Sequence, residues 1–387
     1  MRVTEIRPGE LGESERALWR AFVRSGAVSP SAFMGWRFAA CVADVREDSR
    51  LAVVEDGQGI LAFLPYHRRP MGVARPIGAP FSDQHGPVVR PGETLDLAET
   101  LRRLRLTVYL HTAMQAGAAR INGPVYSAEP AWVAAVGDDG PGFMQRKRAE
   151  HQTRFKGFAK RRRKAERERG ALEIVLDDRD AAAFDMTFAL KRRQYRETGK
   201  HDVLAARWVR ALFERLQSRD APDFGLRVCT LRLNGALAAG EVCLLGAETL
   251  HSWIVSYDPA LSDYAPGMQL LQGVVEGAPQ FGAGRVDLAT GHGSYKALFA
   301  DPQGEFLEGA VCAAGFGGAI RRAAGGVWRA AETAPLGPVA AAAGKLRRRS
   351  AQIASVETDL AGRARGFASA LSSFKSKAAR RAAICAG

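Results

Sequence analysis

Two stretches of this chain read alike, and a chain that repeats a unit must fold in a way that accommodates both copies. Residues 51–69, LAVVEDGQGILAFLPYHRR, read as strand, Asp-Gly turn, strand; residues 226–246, LRVCTLRLNGALAAGEVCLLG, read as strand, Asn-Gly turn, strand. Aromatic-rich helical segments precede each one: SERALWRAFVRS and SAFMGWRFAACV before the first, AAAFDMTFALKRRQYRETG and ARWVRALFERLQS before the second. Helix, helix, hairpin therefore occurs twice, as a duplicated α/β unit would show it. The alternative is an α+β fold in which helices precede hairpins without any duplication.

The second copy continues with a third strand, ETLHSWIVSY, and a break at Tyr257-Asp258-Pro259. An apolar helix then opens at Pro266-Gly267, and the strand GRVDLATG follows. After the first copy, LDLAETLRRLRLTVYLHTAMQAG reads as a helix before a short strand, ARINGPVY. With 387 residues the chain suits two domains plus extensions. MRVTEIRPGE has no apolar signal core, and no stretch approaches the ~20 apolar residues of a spanning helix, so the expectation is a cytoplasmic protein. Five scattered cysteines without a CxxC pair indicate neither a zinc site nor a disulfide framework, and no metal is expected.

The net charge of +14 is unevenly placed. Residues 146–169 carry +9 and residues 321–387 carry +10, which leaves −5 for the rest. The basic character thus belongs to a connector, read as a helix ending at Gly170, and to a tail. In that tail Ile353, Val356, Leu360, Ala364, Phe367, Leu371, Phe374 and Ala378 form one apolar stripe with basic flanks. Such a stripe suits an anionic membrane surface, a partner, or a solvated helix loosely attached to the body. As a nucleic-acid platform the connector is poor, since only Phe155 and Phe158 interleave its charges.

The Pro266-Gly267 corner is where a helix leaves its first amides unpaired and presents the positive end of its dipole, an arrangement that suits a phosphate. Pro266 lacks an N–H that would be orphaned anyway, and Gly267 permits close approach of a ligand. The run YDPALSDYAPGMQLL followed by RVDLATGHGSYKALFA, with LPYHRRP, FSDQHG and AKRRRKAERERG upstream, resembles GNAT-superfamily acyltransferases. It is most similar to their CelD-like, cellulose-biosynthesis-associated branch, which is related to the Fem aminoacyltransferases.

The resemblance, spanning roughly residues 10–310, implies an α/β (α+β) fold of two tandem GNAT-like acyl-CoA acyltransferase domains with mixed twisted sheets. The expected layout is an N-terminal GNAT-like domain over 1–145 without its own donor site, a basic connector helix over 146–170, a C-terminal GNAT domain with the donor site over 171–312, and a basic amphipathic tail over 313–387. It implies transfer of an acyl group, acetyl first of all, from acyl-CoA to an amine or hydroxyl in polysaccharide or cell-envelope biosynthesis. A Fem-like use of aminoacyl-tRNA and a non-catalytic nucleic-acid-binding role are the alternatives. Peripheral contact with the inner membrane surface through the tail is a further expectation.

Carried onto this sequence, the resemblance places the pantetheine arm along Ile254 and Val255 and the donor phosphates at Pro266, Gly267, Met268 and Gln269. Pro266 shapes that loop without donating. Candidate catalytic groups are Asp287, set among apolar strand neighbours, Tyr295 and Lys296 after the Gly-x-Gly loop, and Glu241 in the hairpin strand, with backbone amides near Val255 for the oxyanion. Asp287 reads equally well as a structural acceptor, and Glu241 reads better as a solvated edge residue. His251 and His292 are potential bases, and Asp83 and His85 of SDQHG are placed to face a cleft between the domains. No HExxH, Walker loop or GxSxG elbow supports another enzyme class.

Overall fold

The computed structural model describes residues 1–25, 30–291, 293, 295–335, 337–359, 362–364, 366 and 367. The first half begins with β1 (Arg2–Ile6), helices α1 (Glu13–Arg24) and α2 (Trp36–Val45), and the hairpin of β2 (Ser49–Asp56) and β3 (Gly59–Arg69). It continues through β4 (Val73–Pro76), β5 (Val88–Val89), α3 (Leu97–Arg103), β6 (Val108–Gln115) and β7 (Val125–Ala135). Helices α4 (Gly140–Glu150) and α5 (Gln152–Arg169) lead to the second half. There β8 (Leu172–Val175), α6 (Ala181–Glu197), α7 (Arg207–Ser218), β9 (Phe224–Leu233), β10 (Ala236–Gly246) and β11 (Thr249–Tyr257) precede α8 (Pro266–Gly277), β12 (Arg285–Thr290) and β13 (Asp301–Cys312). Two further helices follow, α9 (Phe316–Thr333) and α10 (Pro338–Val356).

Among the described residues all thirteen strands join one mixed sheet in the order β1-β2-β3-β4-β6-β13-β7-β12-β11-β10-β9-β8, with β5 on β3. That order is a palindrome of two halves. Reading from either end gives three antiparallel pairings, then a parallel one (β4 with β6, β11 with β12), then an antiparallel strand that comes from the opposite half. Strand β13 pairs with β6, and β7 pairs with β12, while β7 and β13 pair with each other at the centre. The duplicated unit read from the sequence is thus a pair of similarly built halves in a mixed α/β fold, each completed by the other's last strand.

Local chemistry explains the matching hairpins. Asn234 and Gly235 both take positive φ (49° and 80°), as the tight turn between β9 and β10 requires. The halves also share apolar packing. Phe33, Phe38, Val42 and Phe81 of the first half are buried in one cluster with Phe184, Phe188, Phe213 and Trp253 of the second. The other face of the second half is covered by α8 and by Phe143, Met144 and Phe155 of the connector helices.

Two sequence expectations fail here. Residues 95–117 do not form one long helix: α3 ends at Arg103, Arg105 adopts φ 55°, and the β-branched and aromatic run from Val108 joins the sheet as β6. The connector is not one helix either. It breaks at His151 (φ −120°, ψ 42°), whose Nε2 meets the Ala297 carbonyl at 3.0 Å, and it then runs to Arg169, with Gly170 (φ 97°) beyond it.

The start of the tail stripe is docked: Ile353 and Val356 are buried. Arg46 donates to Ser355 O, Arg69 to Ala354 O and Glu357 O, and Trp208 Nε1 to Val356 O, so donors from both halves satisfy the last carbonyls of α10. Leu360, Leu371, Phe374 and Ala378 of the stripe lie outside the described residues. Among the described residues no helix is long and apolar enough to cross a membrane.

Candidate functional site

Strands β11 and β12 run parallel and pair only through Thr249–His251 and Arg285–Asp287. Beyond that vertex, among the described residues, β11 pairs only with β10, so its other edge from Ser252 to Tyr257 has no strand neighbour there. The β10–β11 register shifts between Val242 and Cys243, which leaves Trp253 as an extra residue. Trp253 and Ile254 therefore both turn to the aromatic core, where Trp253 stacks on Phe213 at 4.6 Å and donates to Phe81 O.

The vertex is polar and deeply buried. His251 Nε2 lies 2.9 Å from Asp83 Oδ2, and its Nδ1 lies 3.5 Å from Asp287 Oδ2. Gln84 Nε2 donates to Asp287 Oδ2, and Ala289 N donates to Asp287 Oδ1 at 2.7 Å. Burial alone would depress the His251 pKa, but Asp287 and Asp83 outweigh it and raise it to about 9. This histidine is an imidazolium at neutral pH. Both Asp287 oxygens are engaged, which makes it an acceptor holding the vertex and the turn after β12.

Glu241 is fully buried in the middle of the sheet, so the edge reading is corrected. Alternation along β10 places it with Cys243 and opposite Cys229 of β9 and Val255 of β11. Its Oε1 accepts from Cys243 Sγ (3.7 Å), whereas Oε2 has no partner. Burial raises its pKa, with hydrogen bonds from Ser252 and Cys243 acting the other way. Tyr295 is 42% exposed, and partial burial together with the Glu241 charge keeps its phenol protonated. Lys296 is buried; Nζ donates to Thr290 O (2.7 Å) and Ala289 O (3.3 Å), and burial lowers its pKa. These bonds tie it to the turn after β12.

At the helix corner, Ala265 takes a left-handed conformation (φ 50°, ψ 50°) and Pro266 opens α8. Met268 N and Gln269 N both donate to Ala265 O (3.1 and 3.2 Å), so of the four residues assigned to the phosphates only Gly267 has an amide without a partner. The Gln269 side chain donates to Tyr264 O, and its Oε1 is buried without a partner. In sequence the nearest charges are Asp258 and Asp263, but in space α5 supplies cations. Arg169 Nε donates to Tyr264 Oη (3.3 Å) and Lys164 lies 5.4 Å from the centre of the same ring, while Glu168 of the same helix accepts from Tyr264 Oη (3.0 Å) and lies 4.0 Å from Lys164 Nζ.

The structure therefore gathers Glu241, Tyr295, Lys296 and Asp287 around the splay, with Val255 on its open strand and Ile254 turned into the core. His292 lies outside the described residues. Sequence reading missed the contributions of Gln84, Lys191 and the cations of α5. Lys191 donates to Val255 O (2.9 Å), and burial lowers its pKa to about 8. Asp83 faces the vertex, but His85 does not: its Nε2 accepts from Thr112 N and Ala113 N, and its backbone bridges to Met114. The equivalent edge of β6 in the first half is thus covered by the chain's own loop.

Residues 152–297 match the family model of the acetyltransferase (GNAT) domain. The segment from α5 to the turn after β12 is thus the part of the chain that is similar to that acetyltransferase domain. Among solved structures, similar chains include a conserved protein of unknown function from Bacteroides thetaiotaomicron VPI-5482 (14% identity, 81% of this chain and 100% of that one, TM-score 0.49). Others are FemX (10% identity, 79% and 97%, TM-score 0.48) and a tandem GNAT protein from the clavulanic acid biosynthesis pathway (12% identity, 81% and 99%, TM-score 0.44). Comparison with curated proteins gave no match.

Proposed function

We propose that the splay between β11 and β12 is the active site of an acyl-CoA-dependent N- or O-acyltransferase, with acetyl-CoA as the first donor to consider. The observation that carries this reading is the β11 edge from Ser252 to Tyr257, which has no strand neighbour among the described residues and on which Lys191 holds the Val255 carbonyl. It lies between a helix N-terminus with a free Gly267 amide and a buried carboxylate with a free oxygen, inside the segment that matches the acetyltransferase domain. The pantetheine amides pair with the open edge, and the pyrophosphate meets Gly267 N–H and the α8 dipole, flanked by Lys164 and Arg169. A cavity of about 380 Å³ between α5 and α8, lined by Phe155, Phe158, Lys156, Arg162 and Gln269, takes the nucleotide end.

In the reaction the acceptor nitrogen or oxygen attacks the thioester carbonyl carbon, and its proton passes to the Glu241 carboxylate through water. The raised pKa of Glu241 brings it closer to the task of a base at neutral pH. Backbone amides of the open edge stabilise the oxyanion. The C–S bond then breaks and Tyr295 protonates the departing thiolate. Asp287, His251 and Asp83 fix the vertex, and Lys296 fixes the turn that carries Tyr295. The acceptor, an amine or hydroxyl, is assigned to saccharide or envelope precursors on the resemblance to CelD-like enzymes.

The test is a mass-spectrometric screen for transfer from acetyl-CoA into amine and saccharide acceptors, run beside acetyl-CoA titrations of two variants. A Cβ at Gly267 would meet only Tyr257 at 3.5 Å, so both variants fit sterically. Gly267→Asp should weaken binding by about ten-fold or more through charge repulsion, and Gly267→Ala should bind nearly as the parent does. Equal affinity for parent and Gly267→Asp would remove the corner from the donor site. Transfer that needs aminoacyl-tRNA, with none from acetyl-CoA, would favour the Fem-like alternative.

A further inference from the structure

The open edge of β11 already carries one side chain. Asp258 N donates to Ala238 O (2.9 Å), the next pair beyond Ala239 and Tyr257, and the two strands keep register from there to Val242 and Ile254. Bonded and non-bonded pairs alternate in an antiparallel ladder, so the bonds run through Gly240 with Ser256 and Val242 with Ile254. Glu241 and Val255 are a non-bonded pair, and both the N–H and the C=O of Val255 point away from β10 into the splay. Lys191 Nζ donates to that carbonyl at 2.9 Å. Its ammonium therefore stands where a ligand N–H pairing with this edge would stand.

Helix α6 sets this reach. Gly240 has no side chain to hold α6 off the sheet, and Ser256 Oγ donates to Thr187 O (2.9 Å). Lys191 lies one turn beyond Thr187 on the same face, and Tyr195 one turn further, with its ring centre 5.4 Å from Nζ. Among the described residues Nζ makes one hydrogen bond and has no carboxylate within ion-pair distance. Burial, and after it the like charge of Lys200, disfavours the ammonium. Lys147 shows the contrast, since it holds both Asp301 and Glu150. A ligand arm that pairs with Val255 O displaces an under-satisfied cation and has to offer it an oxygen. The acyl carbonyl of a thioester is such an oxygen, and it gains negative charge when the acceptor attacks.

We infer that Lys191 is a catalytic residue of the proposed transfer: its hydrogen bond passes from Val255 O to the acyl carbonyl oxygen of the donor, which it holds, beside the backbone amides, as that oxygen becomes an oxyanion. This rests on the splay being the acyl-CoA site. Lys191 keeps its protons throughout; the oxyanion's electron pair returns to carbon as the C–S bond breaks, and the thiolate is protonated by Tyr295. The test needs no acceptor. Calorimetry on the full chain compares acetyl-CoA with S-ethyl-CoA, a thioether that has the same arm and no carbonyl, for the parent, Lys191→Met and Lys191→Arg. The parent should prefer acetyl-CoA by about ten-fold, Lys191→Met should bind the two alike, and Lys191→Arg should keep part of the preference. With acetyl-CoA labelled with heavy carbon at the carbonyl, the infrared carbonyl stretch should lie at lower frequency on the parent than on Lys191→Met. If Lys191→Met lacks a cooperative thermal transition, Lys191→Gln takes its place. A preference and a carbonyl band that the variant leaves unchanged would overturn the inference with the donor site intact. A parent that binds neither compound would remove the donor site, and the inference with it.

Discussion

His251 keeps its proton because two carboxylates oppose the cost of burying it, and one of them, Asp83, lies 168 residues away in the first half. Asp83→Asn should therefore lower the His251 titration seen by NMR from about 9. It should also destabilise the fold by ~1–3 kcal/mol, since a buried cation loses half of its partners; an unmoved titration would contradict the assignment. Tyr295→Phe removes the proposed donor to the thiolate, so kcat should fall on the order of 100-fold with little change in acetyl-CoA affinity. At this scale the sequence was informative where residues are neighbours. Asp287, Tyr295 and Lys296 were read from one local run of sequence, which the structure brings to the splay, and the helix start read at Pro266-Gly267 is where α8 opens. Glu241 was misjudged, because alternation along a strand says which residues share a face but not that the strand lies mid-sheet with both faces covered. Gln84 left no local signal, since its role depends on a loop crossing between halves.

Hairpins were the most legible elements, because their turn chemistry is local: Asn234-Gly235 can hardly do anything else. The run after α3 was misread because a leucine-rich spacing satisfies both helix and strand templates until Arg105 breaks it. The basic connector was placed but its break at His151 was not, since that depends on the tertiary contact with Ala297. Close approach between elements leaves glycine in the sequence without saying what approaches. A Cβ on Gly240 of β10 would lie 1.9 Å from Thr187 Oγ1 of α6. Gly240→Ala should accordingly cost ~1–3 kcal/mol in denaturant unfolding, whereas Gly57→Ala, with open space around it, should cost far less.

For the whole molecule, the exchange of β7 and β13 and the shared aromatic cluster make the halves one folding unit. Unfolding should be a single transition with coincident fluorescence and circular-dichroism midpoints; two separated transitions would contradict the exchange. The titratable core sets a pH optimum. His67, His85 and His111 are buried with pKa lowered to about 4, 3 and 4, so the unfolded chain binds more protons and stability falls as pH drops below about 6.5. His251 has the opposite sign: the folded state holds the extra proton, and up to about 3 kcal/mol is lost as pH rises from about 6.5 toward 9. Lys191, lowered to about 8, restores part of this only above that pH. Urea midpoints should therefore peak near pH 6.5 and fall on both sides. The palindromic sheet was foreshadowed by the repeated hairpin, but strand exchange was not, because sequence order says nothing about which half a strand joins.

The central claim is that the open edge of β11 and the start of α8 receive acyl-CoA, and amide hydrogen exchange with and without acetyl-CoA tests it most directly. Slowed exchange at residues 252–257 and at Gly267, with the covered β6 edge at 112–114 unaffected, is the predicted result. Unchanged exchange along β11 and α8 at saturating acetyl-CoA, or protection confined to the first half, would contradict it.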